Sequence, residues 1–261
     1  MSDEITKGII DKADGVLAEV YKDAVHPIVK PLGEILSFLP RTLKLTLSGW
    51  EKWLINGEET LRLTAESVRE KIKSIPEEKL VAPESYVAIP AMQQLSYCVN
   101  NEELRELYAN LLISSMNVDK KWNVHPAFVD IIKQLTPDEA KLIKLLFPSP
   151  LQYYPLIDIR LENEQGKGNI LYSNFTDIGL NELDVPTNIG LYVDNLLRLK
   201  IIEVPPGNIF AESSAYDKLE QHPIVQRSLP KIHTKIIRIK FVHKVFNVTN
   251  MGVSFIKAVT P

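Results

Sequence analysis

The stretch HPAFVDIIKQLTPDEAKLIKLL, residues 125–146, decides the fold because prolines and acids punctuate an apolar repeat. Pro126 suits the first turn of a helix, with His125 at its cap. The apolar side chains of that helix recur at helical spacing and are Phe128, Ile131, Ile132 and Leu135. TPDE then reads as a capping box, in which Thr136 accepts from the Glu139 amide and Glu139 reaches back. The stretch therefore predicts two helices, and its carboxylates are interpreted as caps.

The part of the chain before this stretch is also expected to be helical. A long amphipathic helix is predicted over residues 32–54, with a kink near Pro40. Its apolar face ends in Trp50 and Trp53, which lie beside lysines, so these rings are candidate contacts to a membrane surface or to a partner. Packing of the same face on the rest of the protein is the alternative.

The residue pattern changes after Phe147, where apolar and charged residues alternate along PLIDIRLE. The alternation predicts a strand, and the polar letters ENEQGKGN turn the chain into a second strand, ILYSNF. A helix, DVPTNIGLYVDNLLRLK, runs into the strand IIEV, and a long polar connection with room for one short helix precedes the last strand, IIRIKFVHKVFNV. This order is typical of a winged-helix module whose wing is replaced by a larger insert.

We therefore predict an α+β protein, mostly helical, with an all-α N-terminal half and a C-terminal winged-helix-like domain. The expected divisions are an amphipathic helical region over residues 1–80, a helical core region over 81–135, and the winged-helix-like domain over 136–261.

Composition places the chain among soluble globular proteins, with 45% hydrophobic and 24% charged residues. Cys98 is the single cysteine, so no internal disulfide is expected and a cytoplasmic location is the default. The first residues carry acids and lack a long apolar core, so they do not resemble a secretory signal. No transmembrane segment is predicted, and peripheral membrane contact is left to the helix with the two tryptophans.

The net charge of −3 is unevenly distributed, because residues 221–261 carry seven Lys or Arg and no Asp or Glu. Arg238, Lys240 and Lys244 share one face of the last strand and are candidate contacts to an anionic partner such as nucleic acid. Lysines on a solvated strand face are the alternative reading. The helix that would enter a DNA groove offers few cations, its exposed residues being Asn188, Asp194, Asn195 and Arg198.

Catalytic signatures are missing from the sequence. It contains no GxSxG, Walker, GxGxxG or HExxH pattern, and no histidine has a second ligand at helical metal spacing. We therefore expect a non-enzymatic protein and predict no catalytic residue, cofactor or metal ligand.

Several stretches resemble a known family. IPEEKLVAPESYVAIPAMQQLSYCVNNEELRELYANLLISSMN, VHPAFVDIIKQLTPDEAKLIKLL, SNF at 173–175, YVDNLLRLKIIE at 192–203 and the terminal VTNMGVSFIKAV are similar to the bacterial abortive infection alpha family. The resemblance runs from about residue 75 to 261 and implies a role in defence against phage. It brings no agreed catalytic residues. Members tend to have a glycine where this chain has Lys200, so the resemblance does not fix how that helix ends.

Function is expected to follow the resemblance: abortive infection through contact with another macromolecule, a protein or a phage component. One alternative is a winged-helix regulator that binds nucleic acid through the basic strand. A second alternative is an effector that perturbs membranes through the N-terminal amphipathic helix.

Overall fold

The structure is a computed structural model that describes residues 67–68, 71–81, 83–95, 98, 101–230 and 237–261. The predicted helix over 32–54, with Trp50 and Trp53, lies outside the described residues, as does most of the region 1–80. The predictions for these residues therefore stay predictions.

Within the described residues, the α-helices before the sheet include α1 Ser85–Leu95, α2 Glu102–Ser115, α3 Ala127–Lys133 and α4 Pro137–Leu145. Asn101 is the N-cap of α2, as its position before two glutamates predicts. Pro90 lies inside α1, which begins at Ser85. Val87 and Ala91 bury the face of α1 around this proline, and that burial offsets the backbone hydrogen bond that proline cannot donate.

The two helices predicted from residues 125–146 are α3 and α4, so that prediction is confirmed. Pro126 is the N-cap of α3, and the His125 Nδ1 atom accepts from the Ala127 amide at 3.1 Å. The capping box of α4 is complete, because the Glu139 amide donates to the Thr136 hydroxyl at 3.2 Å while the Thr136 amide donates to the Glu139 carboxylate at 2.6 Å.

A four-stranded antiparallel sheet follows, made of β1 Tyr153–Asn163, β2 Gly168–Phe175, β3 Ile202–Glu203 and β4 Ile237–Val248 in the order β2-β1-β4-β3. The predicted hairpin of β1 and β2 is confirmed, and Gly166 in its turn has φ +75°, which a residue with a Cβ rarely adopts. The longest pairing joins β1 to β4, from Tyr153 opposite Asn247 to Asn163 opposite Ile237. With its helices the chain is an α+β protein.

The described residues form four further α-helices, α5 Ile189–Arg198, α6 Ser214–Glu220, α7 Pro223–Ser228 and α8 Asn250–Val259. The connection between β3 and β4 holds two helices and not the one that its polar composition suggested. The second exists because Pro223 occupies its first position and the His222 Nδ1 atom accepts from the Ile224 amide at 3.3 Å. None of the helices in the described part is long and apolar enough to cross a membrane.

The end of α5 is a left-handed cap built on a lysine. Lys200 has φ +58°, its amide donates to the Leu197 carbonyl at 3.0 Å, and the Ile201 amide donates to the Leu196 carbonyl at 3.0 Å. These two bonds are those of a Schellman motif, which usually places glycine where Lys200 stands.

The main hydrophobic core runs from α1 to α8 and includes residues of both the predicted helical core region, 81–135, and the predicted winged-helix-like domain, 136–261. Helix α8 is fixed on α2 because Asn110 donates to the Val259 carbonyl and Ser114 to the Ala258 carbonyl, each at 2.8 Å. The carbonyls at the end of α8 are satisfied by side chains of a helix far away in sequence.

Candidate functional site

A groove of about 360 Å³ lies between the start of α4 and the outward face of α5. Gln134, Thr136 and Glu139 form one wall. Helix α5 supplies the other wall, which includes exposed residues that the sequence placed on its outer face. We call this feature the α4–α5 groove.

Asn195 joins the two walls of the groove. Its side-chain nitrogen donates to the Gln134 backbone carbonyl at 2.9 Å and to the Glu139 carboxylate at 2.8 Å. The Glu139 carboxylate is nearly fully buried and accepts from both the Thr136 amide and Asn195, so its role is structural. The cap of α4 thus also fixes the position of α5.

Arg198 is held at the rim of the groove by neutral amides. Its Nε and Nη2 atoms donate to the Asn195 side-chain oxygen at 3.0 and 2.6 Å, and Nη1 donates to the Gln134 side-chain oxygen at 2.9 Å. A guanidinium has five N–H groups, so two stay available for a further acceptor. The charge of Arg198 is oriented by this arrangement without being neutralised.

Asp194 lies one helical turn before Arg198, at a spacing that commonly produces an ion pair. Its Oδ1 atom instead accepts from the Asn174 side-chain nitrogen at 2.5 Å. Within the described ranges neither Asp194 nor Arg198 has an ion-pair partner. The groove therefore presents an unpaired anion and an unpaired cation about one turn apart.

Beneath the groove, Asp138 anchors α5 and the loop before it. The residue is 4% exposed, and its carboxylate accepts from the amides of Asp184 and Val185 at 2.8 and 2.9 Å and from the Tyr192 hydroxyl at 2.9 Å. Burial alone would raise the pKa of this carboxyl, but the three hydrogen bonds stabilise its charged form and lower the pKa below its usual value. Burial and the bond to Asp138 raise the pKa of Tyr192 to about 12.

A second network links the sheet to α5. The Lys244 ammonium donates to Asp158 and to the Asn174 side-chain oxygen, each at 2.6 Å, and the Asn174 amide donates to Asp158 at 2.9 Å. Asn174 has φ +58°, a left-handed conformation that asparagine tolerates better than most residues. The network places Asn174 under Asp194 and joins β1, β2 and β4 to the helix that forms the groove.

The chemistry of the groove suits noncovalent recognition. Its lining includes amides, one carboxylate that is open to solvent, one guanidinium and the exposed Leu191, but no His, Cys, Ser or Lys. Its hydroxyls are engaged within the protein, that of Thr136 in the helix cap and that of Tyr192 in the bond to Asp138. Throughout the described residues, no group of three or more His, Cys, Asp or Glu side chains could hold a metal ion.

The basic residues predicted on the last strand lie on β4. Arg238 and Lys240 are exposed, whereas Lys244 is bonded to Asp158. The Lys240 ammonium lies 3.4 Å from Glu162, a carboxylate that is nearly fully buried. Two of the three predicted cations therefore have a carboxylate partner in the sheet. Their role as contacts to an anionic partner stays a prediction.

The sequence predicts some residues of the groove, because it places Asp194, Asn195 and Arg198 on the exposed face of α5. The inward role of Asp138 was not predicted, because the helix dipole already accounts for an acid in the first turn of α4. The signal that could have found it is the acidic pair at the start of α4 followed by a tyrosine on the next amphipathic helix.

The sequence matches the model of a protein family described as abortive infection alpha over residues 56–259. The chain belongs to the abortive infection alpha family. This membership confirms the resemblance found in the sequence, and the matched residues of this abortive infection alpha chain include both walls of the groove.

Two further comparisons add little to the family match. No curated protein matches the chain. A solved structure, described as that of an uncharacterized protein from the hydrocarbon-degrading marine bacterium Alcanivorax borkumensis SK2, is 17% identical, covers 49% of this chain and 88% of its own, and has a TM-score of 0.36. That likeness carries no argument about this abortive infection alpha protein.

Proposed function

We propose that the chain is a cytoplasmic, non-enzymatic phage-defence protein of the abortive infection type that binds another protein through the α4–α5 groove. Family membership supports the defence role. The observation that supports the groove is that Asp194 and Arg198 have no ion-pair partner among the described residues, because two oriented charges on one helix are suited to recognition.

Several features support a protein partner over a catalysed reaction. The groove is open to solvent and carries few charges. Its side-chain amides are already hydrogen-bonded within the protein, and Leu191 offers an apolar contact that is 62% exposed. Arginine is enriched where proteins bind one another, and an apolar side chain beside it adds contact area that binding can bury. Binding of a phage component or of a host protein would then couple infection to arrest of the cell.

The test is protection against phage in a susceptible bacterium. Cells that express the wild-type chain, the Arg198→Gln variant or the Arg227→Gln variant are challenged with a broad panel of phages, and plaques are counted. Arg227 is an exposed arginine on α7 and serves as the matched control. We expect the wild type and Arg227→Gln to protect and Arg198→Gln to lose protection at equal protein levels.

Two results would contradict the proposal. Unchanged plaquing across the panel, with normal growth of cells that express the wild type, removes the defence role. Full protection by Arg198→Gln leaves the defence role in place but removes the groove from it.

The nucleic-acid alternative retains one supporting observation, the stretch of basic residues without acids that contains Arg238 and Lys240. On the winged-helix interpretation, β4 and the insert before it would face the duplex. Replacement of Arg238, Lys240 and Lys244 by Gln should then abolish binding that weakens steeply with salt. Absence of a shift with duplex DNA at low salt ends this alternative.

The membrane alternative rests on Trp50 and Trp53 and stays a prediction from the sequence. Flotation of the full chain with anionic vesicles, compared with a Trp50 and Trp53 double alanine variant, measures it directly. Equal recovery of both proteins in the soluble fraction at low salt contradicts it.

A further inference from the structure

We infer that the α4–α5 groove recognises an extended peptide segment in which an apolar, a basic and an acidic side chain occupy alternate positions. The inference rests on the proposed function and adds the chemistry of the partner. The apolar residue meets Leu191, the basic residue meets Asp194, and the acidic residue meets Arg198.

The spacing of these three residues along α5 carries the pattern. Leu191, Asp194 and Arg198 are separated by three and four positions, so they lie on one face of the helix with about 5–6 Å between successive Cβ atoms. In an extended chain, side chains two residues apart point the same way and lie about 6.6 Å apart along the strand. An extended peptide that runs along α5 therefore presents every second side chain to one of these three positions.

Arg198 is prepared for a carboxylate. Its two remaining N–H groups belong to a guanidinium that Asn195 and Gln134 already hold in place. One of these groups is on Nη1 and the other on Nη2, and each can donate a charge-assisted hydrogen bond to a carboxylate oxygen. Because the side chain is oriented before binding, less conformational entropy is lost when the partner arrives.

Asp194 is prepared for a cation in the same way. One of its oxygens accepts from Asn174, which Lys244 fixes from below, and the residue is exposed. The second oxygen is left to face a lysine or arginine of the partner. The two charges of the groove are thus complementary to a basic and an acidic side chain, in that order from Leu191.

The surrounding charge favours a peptide over nucleic acid. The loop before α5 carries the exposed Glu182, and its Asp184 pairs with Lys141 at 2.9 Å. Asp194 stands between Leu191 and Arg198 in the groove itself. A phosphate backbone bound at Arg198 would bring further phosphates towards these acids. A peptide that carries one carboxylate next to a basic side chain avoids that repulsion, because its basic side chain faces Asp194.

The experiment titrates the full chain with the blocked peptide acetyl-GSLSKSESG-amide and, as a neutral counterpart, with acetyl-GSLSQSQSG-amide. Binding is followed by calorimetry and by the side-chain Nε–Hε signals of arginine in nuclear magnetic resonance spectra. We expect the charged peptide to shift the Arg198 signal and to bind about ten-fold more tightly than the neutral one. Arg198→Gln should lose that advantage, whereas Arg227→Gln should keep it.

Equal binding of the two peptides, or an unchanged advantage in Arg198→Gln, overturns the inference, as does a titration in which the Arg198 signal does not move. Thermal unfolding of each variant shows that a lost advantage is not a loss of fold. The outcome is separable from the phage challenge: binding lost in Arg198→Gln while protection persists contradicts the proposed function alone. Protection that depends on Arg198 without selective peptide binding contradicts the inference alone.

Discussion

The Tyr192 hydroxyl donates to the Asp138 carboxylate across 2.9 Å inside the protein and fixes α5 against the start of α4. The same carboxylate accepts from two backbone amides of the loop that leads into α5. One buried acid therefore positions both the helix and its entry. The geometry of the groove above it depends on this bond.

Asp138→Asn should lower the free energy of unfolding by about 2–4 kcal/mol. An asparagine keeps one acceptor oxygen but turns an NH₂ group towards donors, so a buried hydrogen-bonding group is left without a partner. Urea unfolding of both proteins measures the difference. Asp130→Asn, an exposed acid on α3, is the control and should change the free energy by less than about 0.5 kcal/mol. A loss at Asp138 no larger than at Asp130 contradicts the anchoring role.

The contribution of Asp138 should also depend on pH. Its pKa in the folded protein lies below the value of about 3.9 expected in the unfolded chain. The charged form therefore stabilises the fold fully above about pH 5, and the contribution is lost as the pH falls through the folded pKa. We expect the stability gap between the wild type and Asp138→Asn to be constant from pH 5 to 7 and to shrink below pH 4. A stability gap that does not shrink below pH 4 would be inconsistent with the lowered pKa of Asp138.

Lys200→Gly should raise the free energy of unfolding by about 0.5–1 kcal/mol. A left-handed residue with a Cβ costs roughly 1–2 kcal/mol, and the larger freedom of glycine in the unfolded chain cancels part of the gain. Thermal or urea unfolding measures the change. Lys200→Ala keeps the Cβ and should give no comparable gain, so equal stabilisation by both variants argues against relief of backbone strain.

Gly252→Ala should destabilise the protein by at least about 2 kcal/mol. A Cβ at this position of α8 would lie 2.0 Å from the Ile201 carbonyl oxygen and 2.8 Å from a Val248 methyl carbon, so the helix would have to move away from the core. Ser254→Ala, at a half-buried position of the same helix, provides the comparison and should cost much less. Similar unfolding midpoints for the two variants would contradict the close approach.

Local signals made much of the fold predictable. Thr136, Pro137 and Glu139 specify the start of α4 within four residues of sequence, because a capping box depends only on neighbouring groups. The hairpin of β1 and β2 was equally local, since alternation and a glycine turn define it. The second helix of the insert was missed because its cap, His222, is not among the residues that usually signal a helix start.

The groove was less predictable, because the residues that form it are far apart in the sequence. Asn195 and Gln134 are far apart in the sequence, and only the packing of α5 against α4 brings them together. The sequence did show that Asp194 and Arg198 face outwards. It could not show that neutral amides hold them apart, since their spacing on an isolated helix favours a direct ion pair.

The long pairing of β1 with β4 has a consequence for how the protein folds during its synthesis on the ribosome. Asn163 lies opposite Ile237, so the strand between β1 and β3 is supplied only after the hairpin, the groove helix and the insert have been synthesised. Closing a loop of that length is entropically costly and slows folding. A nascent chain that stops before residue 237 exposes the edge of β1. The four-stranded sheet is therefore completed late, and translation cut short during infection would yield a chain without β4, one of the two inner strands.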